Sequence, residues 1–131
     1  MKKIIFLFLL VPFFGIAQNT QKDQGKKLKG FATIYANRFI GSRTATGEIF
    51  KHSNLTAASN NFKINSWVKV TNLRNMKSVI VRINDRMHPR MARMGRVVDL
   101  TKAAAQLLGN FDGIVGVKVE DLTSLVSSED D

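Results

Sequence analysis

A small, mainly β barrel with one or two short helices is the fold this sequence predicts, and three observations lead to it. The chain has 131 residues, the length of one domain. Several short stretches alternate apolar and polar residues with the period of two that a strand with one buried face requires. A helical stripe occurs in only one segment, too little helix for a layered α/β arrangement. With 44% apolar residues and two prolines the chain can bury a core, which excludes disordered and collagen-like classes.

The elements come in chain order. Met1-Lys2-Lys3, an apolar run over 4–14 and the small residues of Gly15-Ile16-Ala17 have the layout of a secretory signal peptide, 1–17, cut after Ala17. The run contains Pro12 and is shorter than the roughly 20 residues that span a bilayer, so no membrane anchor is expected. The mature protein is expected to be soluble, in the periplasm or secreted. Residues 18–29 are almost entirely polar and read as a linker, with the domain over 30–122. Phe31-Ala32-Thr33-Ile34-Tyr35 suits a strand. Gly41 and Gly47 bound a turn-rich loop in which both can take positive φ.

Residues 67–71 and 78–85 are the clearest strands, the second with Val79, Val81 and Ile83 on one face, and 73–77 fits a hairpin connection between them. Residues 86–96 are irregular and basic, and Pro89 argues against a central strand, so a surface loop is expected. Met87, Met91 and Met94 would pack that loop onto the barrel. Val97-Val98 is a short strand. Thr101 caps a helix over 102–108, whose Ala103, Ala104, Leu107 and Leu108 form an apolar stripe ended by Gly109. Residues 115–119 alternate as the last strand, and 123–131 form an acidic tail.

Charge and residue inventory narrow the function classes. Twenty Lys and Arg against ten Asp and Glu give +10, so polyanions are the natural partners: nucleic acid, acidic lipid or an anionic wall polymer. Export removes nucleic acid from that set. With no cysteine there are no disulfides, no thiolate ligands, no cysteine nucleophile and no acceptor for a lipid. His52 and His88 are the only imidazoles, and neither has carboxylates at ligand spacing, so no metal and no cofactor are expected. A monomer is expected.

Between Lys26 and Lys102 the acids are Glu48, Asp85 and Asp99 alone. Asp99 lies two residues before Thr101, where a helix dipole favours an anion. Asp85 ends a strand between Asn84 and Arg86; by itself it reads as an ion-pair partner of Arg82 or Arg86, or as a functional acid. Trp67, at a strand start, reads as a core anchor, and Tyr35 suits a groove or the core equally. Arg90, Arg93 and Arg96 could hold carboxylates or be solvated.

Five blocks together carry a resemblance: Tyr35-Ala36-Asn37-Arg38-Phe39-Ile40-Gly41-Ser42-Arg43-Thr44-Ala45-Thr46-Gly47-Glu48, Leu55-Thr56-Ala57-Ala58, Val70-Thr71-Asn72-Leu73, Val79-Ile80-Val81-Arg82-Ile83-Asn84-Asp85-Arg86 and Gly95-Arg96-Val97-Val98-Asp99-Leu100-Thr101. In this order, over about 30–121, the chain resembles the rare lipoprotein A family. The resemblance implies a six-stranded double-psi β-barrel and an exported endolytic lytic transglycosylase acting on peptidoglycan glycan strands. By position it makes Asp85 the general acid and base and Glu48 its assistant. The substrate-side candidates are Tyr35, Thr44, Ser59, Asn84, Arg86 and His88, the last in a stretch that departs from the family's pattern and readable also as a solvated loop imidazole. Ser59 stands where the family commonly has histidine, and the stretch from Arg86 to Gly95 is longer than the family's. The alternative within the same architecture is a non-catalytic, expansin-like module that binds wall glycan.

Overall fold

The computed structural model describes residues 25–123 and 125. The predicted signal peptide, the linker up to residue 24 and most of the tail lie outside the described residues. Six strands, β1 (Lys27–Ile34), β2 (Thr56–Ala58), β3 (Trp67–Asn72), β4 (Ser78–Asp85), β5 (Arg96–Leu100) and β6 (Ile114–Asp121), close into a barrel in the order β1-β5-β2-β4-β3-β6. The short helices α1 (Pro89–Arg93) and α2 (Lys102–Leu107) and a 3-10 turn at Asn37–Phe39 accompany them. Neighbours β1 and β5 run parallel, as do β2 and β4; the remaining pairs are antiparallel. Exchanging β1, β2 and β3 for β4, β5 and β6 maps this order and every strand direction onto itself. The barrel is therefore two interlocked halves of like topology.

The core is made by the inward faces of these strands. On β4, Val79, Val81 and Ile83 are buried while Ile80 is exposed, as the alternation predicts. Val68 and Val70 of β3, Val98 and Leu100 of β5, and Val117 and Val119 of β6 are wholly buried. Each such side chain contributes about 1.5–3 kcal/mol over its exposed state. Asn72 and Asn75, at and after the end of β3, both donate to the carbonyl of Leu108 and so cap α2 at its C-terminal end. Gly109 comes next at φ +95°, where a Cβ would meet the Asn75 amide at 2.5 Å.

The structure departs from the sequence reading in several places. Strand β1 starts at Lys27, inside the segment read as linker: Lys27, Leu28 and Lys29 pair with Glu120, Val119 and Lys118 of β6. Cross-strand pairing, including the Lys27–Glu120 ion pair at 3.8 Å, makes a strand of residues whose composition looks solvated. The basic loop folds one turn of helix, because Pro89 takes a first-turn position and the His88 Nδ1 accepts the Arg90 N–H. The Thr101 hydroxyl accepts the Ala104 N–H as expected, but α2 buries Ala104, Ala105 and Leu108 and leaves Leu107 exposed. Trp67 is only half-buried, flanking the core instead of anchoring it.

Candidate active site

Asp85 is the last residue of β4. A register shift between Ala57 and Ala58 brings Ala58, in place of Ser59, opposite it on β2. The strand ends here in the wall of a groove of about 680 Å³, lined from the predicted set by Tyr35, Asp85, Arg86 and His88. Three donors from different segments meet the carboxylate. The Tyr35 hydroxyl donates to Oδ2 at 3.0 Å, and the backbone N–H groups of Ala45 and Arg86 donate to Oδ1 at 3.0 and 2.9 Å.

Neither neighbouring arginine forms the ion pair that sequence adjacency suggested. Arg82 reaches Glu48 at 2.5 Å and Asn65 at 2.8 Å. Arg86 donates to the carbonyls of Ser59 and Phe62, both at 2.5 Å, which ties the end of β4 to the loop after β2.

Tyr35 lies just after β1 and answers the groove-or-core alternative with both. Its ring is buried against Phe50, centroids 4.3 Å apart, with the edge of Phe39 at 5.8 Å, while its hydroxyl reaches Asp85. Burial first, and the Asp85 charge second, push the phenol far above its ordinary value, so it stays a neutral donor.

Glu48 does not line the groove. The Arg82 guanidinium, and then the Thr46 hydroxyl, hold its carboxyl at about 2 against an ordinary 4.5, so it is a fixed anion. It closes a loop in which the Thr44 hydroxyl and N–H both meet the Glu48 carbonyl, and the Thr46 N–H donates to the carbonyl of Asn84. The glycines at its ends take positive φ, +85° at Gly41 and +88° at Gly47. This loop delivers the Ala45 N–H to Asp85.

Thr44, Asn84 and Ser59 are buried frame around the site. Ser59 is 0% exposed; its hydroxyl accepts the Asn61 N–H and its own N–H holds the Asp85 carbonyl. His88 lines the groove with Nδ1 occupied by the α1 cap, which puts the proton of the neutral ring on Nε2.

Arg96, read from sequence as holding a carboxylate or solvated, lines the groove, and three further groove residues, Arg38, Phe39 and Asp99, were not singled out as a site from sequence. Asp99 was read through the helix dipole; instead its Oδ1 takes the Arg96 guanidinium at 2.8 Å and the Thr33 hydroxyl. Its position among the three isolated acids was the available signal. Among the described residues no cluster of three or more His, Cys, Asp or Glu could hold a metal ion, and no helix is long and apolar enough to cross a membrane.

A closed six-stranded barrel with two parallel pairs and interlocked halves is a double-psi β-barrel. Solved structures with this fold include the Streptomyces papain inhibitor (TM-score 0.58, 22% identity, 76% of this chain and 96% of that one). An expansin of Clavibacter michiganensis also has it (TM-score 0.55, 20% identity, 73% and 50%). At these identities the likeness is one of fold.

Residues 27–119 match the family described as lytic transglycolase, and the chain belongs to that family. It is 43% identical over 104 residues to the endolytic peptidoglycan transglycosylase RlpA of Pasteurella multocida, covering 79% of this chain and 34% of that protein. It is 48% identical over 92 residues to the probable endolytic peptidoglycan transglycosylase RlpA of Synechocystis, covering 70% and 28%. The chain thus spans about a third of the length of the curated relatives it matches.

Proposed function

We propose that the protein is an exported lytic transglycosylase that cuts peptidoglycan glycan strands between MurNAc and GlcNAc, with Asp85 as the single acid and base. The observation that carries this reading is the carboxylate lining the groove, in no ion pair among the described residues and aimed by three donors, in a chain of the lytic transglycolase family.

In the reaction, protonated Asp85 gives its proton to the glycosidic oxygen as the C1–O bond breaks and GlcNAc departs. The resulting carboxylate takes the proton of the MurNAc 6-hydroxyl while O6 bonds to C1, closing the 1,6-anhydro ring. No water is consumed, and Asp85 ends protonated, ready for another cycle. One carboxyl therefore suffices, where an inverting hydrolase needs a second to activate water. The Tyr35, Ala45 and Arg86 donors stabilise the carboxylate form that collects the second proton. Glu48, already ionised, shapes the loop that supplies the Ala45 N–H and is a positioning residue.

Incubation of purified sacculi with the protein, and then mass spectrometry, tests this reading. Anhydro-MurNAc ends are expected. Reducing ends would indicate a hydrolase, and unchanged glycan the non-catalytic binding module, which the buried Ser59 in place of the family's histidine favours. Asp85→Asn should lower turnover by about 10² to 10⁴ with melting temperature and sacculus binding nearly unchanged. Full turnover in that variant would overturn the mechanism. Export after Ala17 is checked by the intact mass of the mature form, which should begin at Gln18.

A further inference from the structure

Three arginines line the groove, and their engagements differ. Arg86 is bound to two backbone carbonyls, and Arg96 to Thr33, Asp99 and the Met91 sulfur. Arg38 makes no hydrogen bond or ion pair among the described residues; its guanidinium rests 4.9 Å from the centre of the Phe39 ring. Phe39 is itself unusual for a phenylalanine: it is 38% exposed and lines the groove.

The ring is not loosely held. Its backbone sits in the 3-10 turn, the Phe39 N–H donating to Ala36 at 3.1 Å and its carbonyl accepting from Ser42 at 2.9 Å. Its ring meets that of Tyr35 in a T-shaped contact, the planes at 78°, and Tyr35 is hydrogen-bonded to Asp85. A fixed, partly exposed aromatic ring thus stands one side chain away from the candidate acid, with the Arg38 guanidinium over one of its faces and the N–H groups of that guanidinium uncommitted among the described residues.

A flat apolar face suits the C–H face of a pyranose, and a guanidinium with free N–H groups suits a carboxylate. We infer that Phe39 and Arg38 form a sugar subsite beside Asp85 that takes a pyranose bearing an acidic substituent, Phe39 stacking on the ring and Arg38 binding the carboxylate. This rests on the proposed glycan substrate and deepens it: the subsite distinguishes the MurNAc side of a strand from a neutral N-acetylglucosamine polymer. The carboxylate is either that of the lactyl ether itself or one carried by the attached peptide, and both present the same group to Arg38.

Binding, not cleavage, is the measurement, made in the Asp85→Asn background so that no substrate is consumed. Three soluble ligands are compared: neutral chitin oligosaccharides, peptide-free MurNAc-GlcNAc strands, and strands carrying their peptides. Phe39→Ala should weaken all three by about tenfold, as loss of a stacked ring does. Arg38→Gln should weaken only the acidic strands, again by about tenfold, as loss of a charge-assisted hydrogen bond does. A loss confined to peptide-free strands assigns the lactyl carboxylate; one confined to peptide-bearing strands assigns the peptide.

Phe39→Leu keeps the apolar volume without the flat face and should behave like Phe39→Ala, which covers the case of a poorly folded alanine variant. Unchanged affinities in Arg38→Gln, or equal losses on neutral and acidic strands, overturn the acidic subsite while leaving the glycan substrate intact. Failure of the Asp85→Asn parent and the wild type to bind any of the three overturns both.

Discussion

The two halves of the barrel share a topology yet differ in the connection after their first strand. After β1 the chain makes an excursion over 35–55, built from the stacked rings of Tyr35, Phe39 and Phe50 and a hydrogen-bonded threonine turn. After β4 it turns briefly through 86–95, a basic segment holding α1. At equivalent places, the ends of β1 and β4, the two halves set Tyr35 and Asp85, and these join across 3.0 Å. Like strands build a symmetric core, and unlike connections make one groove from it. Chemistry enters this fold where the symmetry is broken.

The strongest break in the comparison should come from the core. Leu100 of β5 is wholly buried and pairs in register with Ala57 of β2, so at this level one half supplies the bulk that the other omits. Leu100→Ala leaves a cavity that no partner can fill, and a loss of about 2–5 kcal/mol is expected from urea unfolding. A loss below about 1 kcal/mol would mean that the core repacks freely and that the halves are not tightly interlocked.

The bridge between the halves is the next target. Tyr35→Phe keeps both ring contacts and removes only the hydroxyl that donates to Asp85. Turnover should fall by about tenfold while KM for glycan and the midpoint of thermal unfolding shift little, since a single hydrogen bond to a charged group contributes about 1.5–3 kcal/mol. An equal fall in Tyr35→Phe and in a variant that disturbs only the ring stack would make the hydroxyl incidental.

The same comparison explains what could be read from sequence. Strands β3, β4 and β6 and helix α2 announce themselves because their burial tracks local periods, as in Val79, Val81 and Ile83. Strand β2 is three residues long and exists because it pairs with β4 and β5, which no local pattern records. Lys27 and Lys29 look like linker until β6 is laid beside them. At the site, Asp85 was visible from its place in a patterned strand and a recognisable block. Its partners were not: Tyr35 is fifty positions away, and adjacency pointed to Arg82 and Arg86, which turn elsewhere. Phe39 escaped notice because an aromatic in a short turn signals exposure only once the groove beside it is known.

The smallest effect concerns two ion pairs, Glu48–Arg82, which joins the long excursion to β4, and Asp99–Arg96, which stays within β5. The Glu48 side chain is 40% exposed, so water screens its pair and the contribution is modest. Its direction with pH is nevertheless fixed. The folded carboxyl titrates at about 2 and the unfolded one near 4.5, so between these values the unfolded chain binds more protons. The stabilisation is complete above pH 4.5 and disappears as pH falls through 2. Glu48→Gln should therefore melt slightly below the wild type at pH 7, by a few degrees at most, and the two curves should converge by about pH 2. Turnover should fall less than in Asp85→Asn, because Glu48 holds the loop that carries the Ala45 N–H and does not itself face the groove. A melting difference that stays constant from about pH 7 to about pH 2 would show that the guanidinium is not what holds Glu48, and would remove its claim to position Asp85.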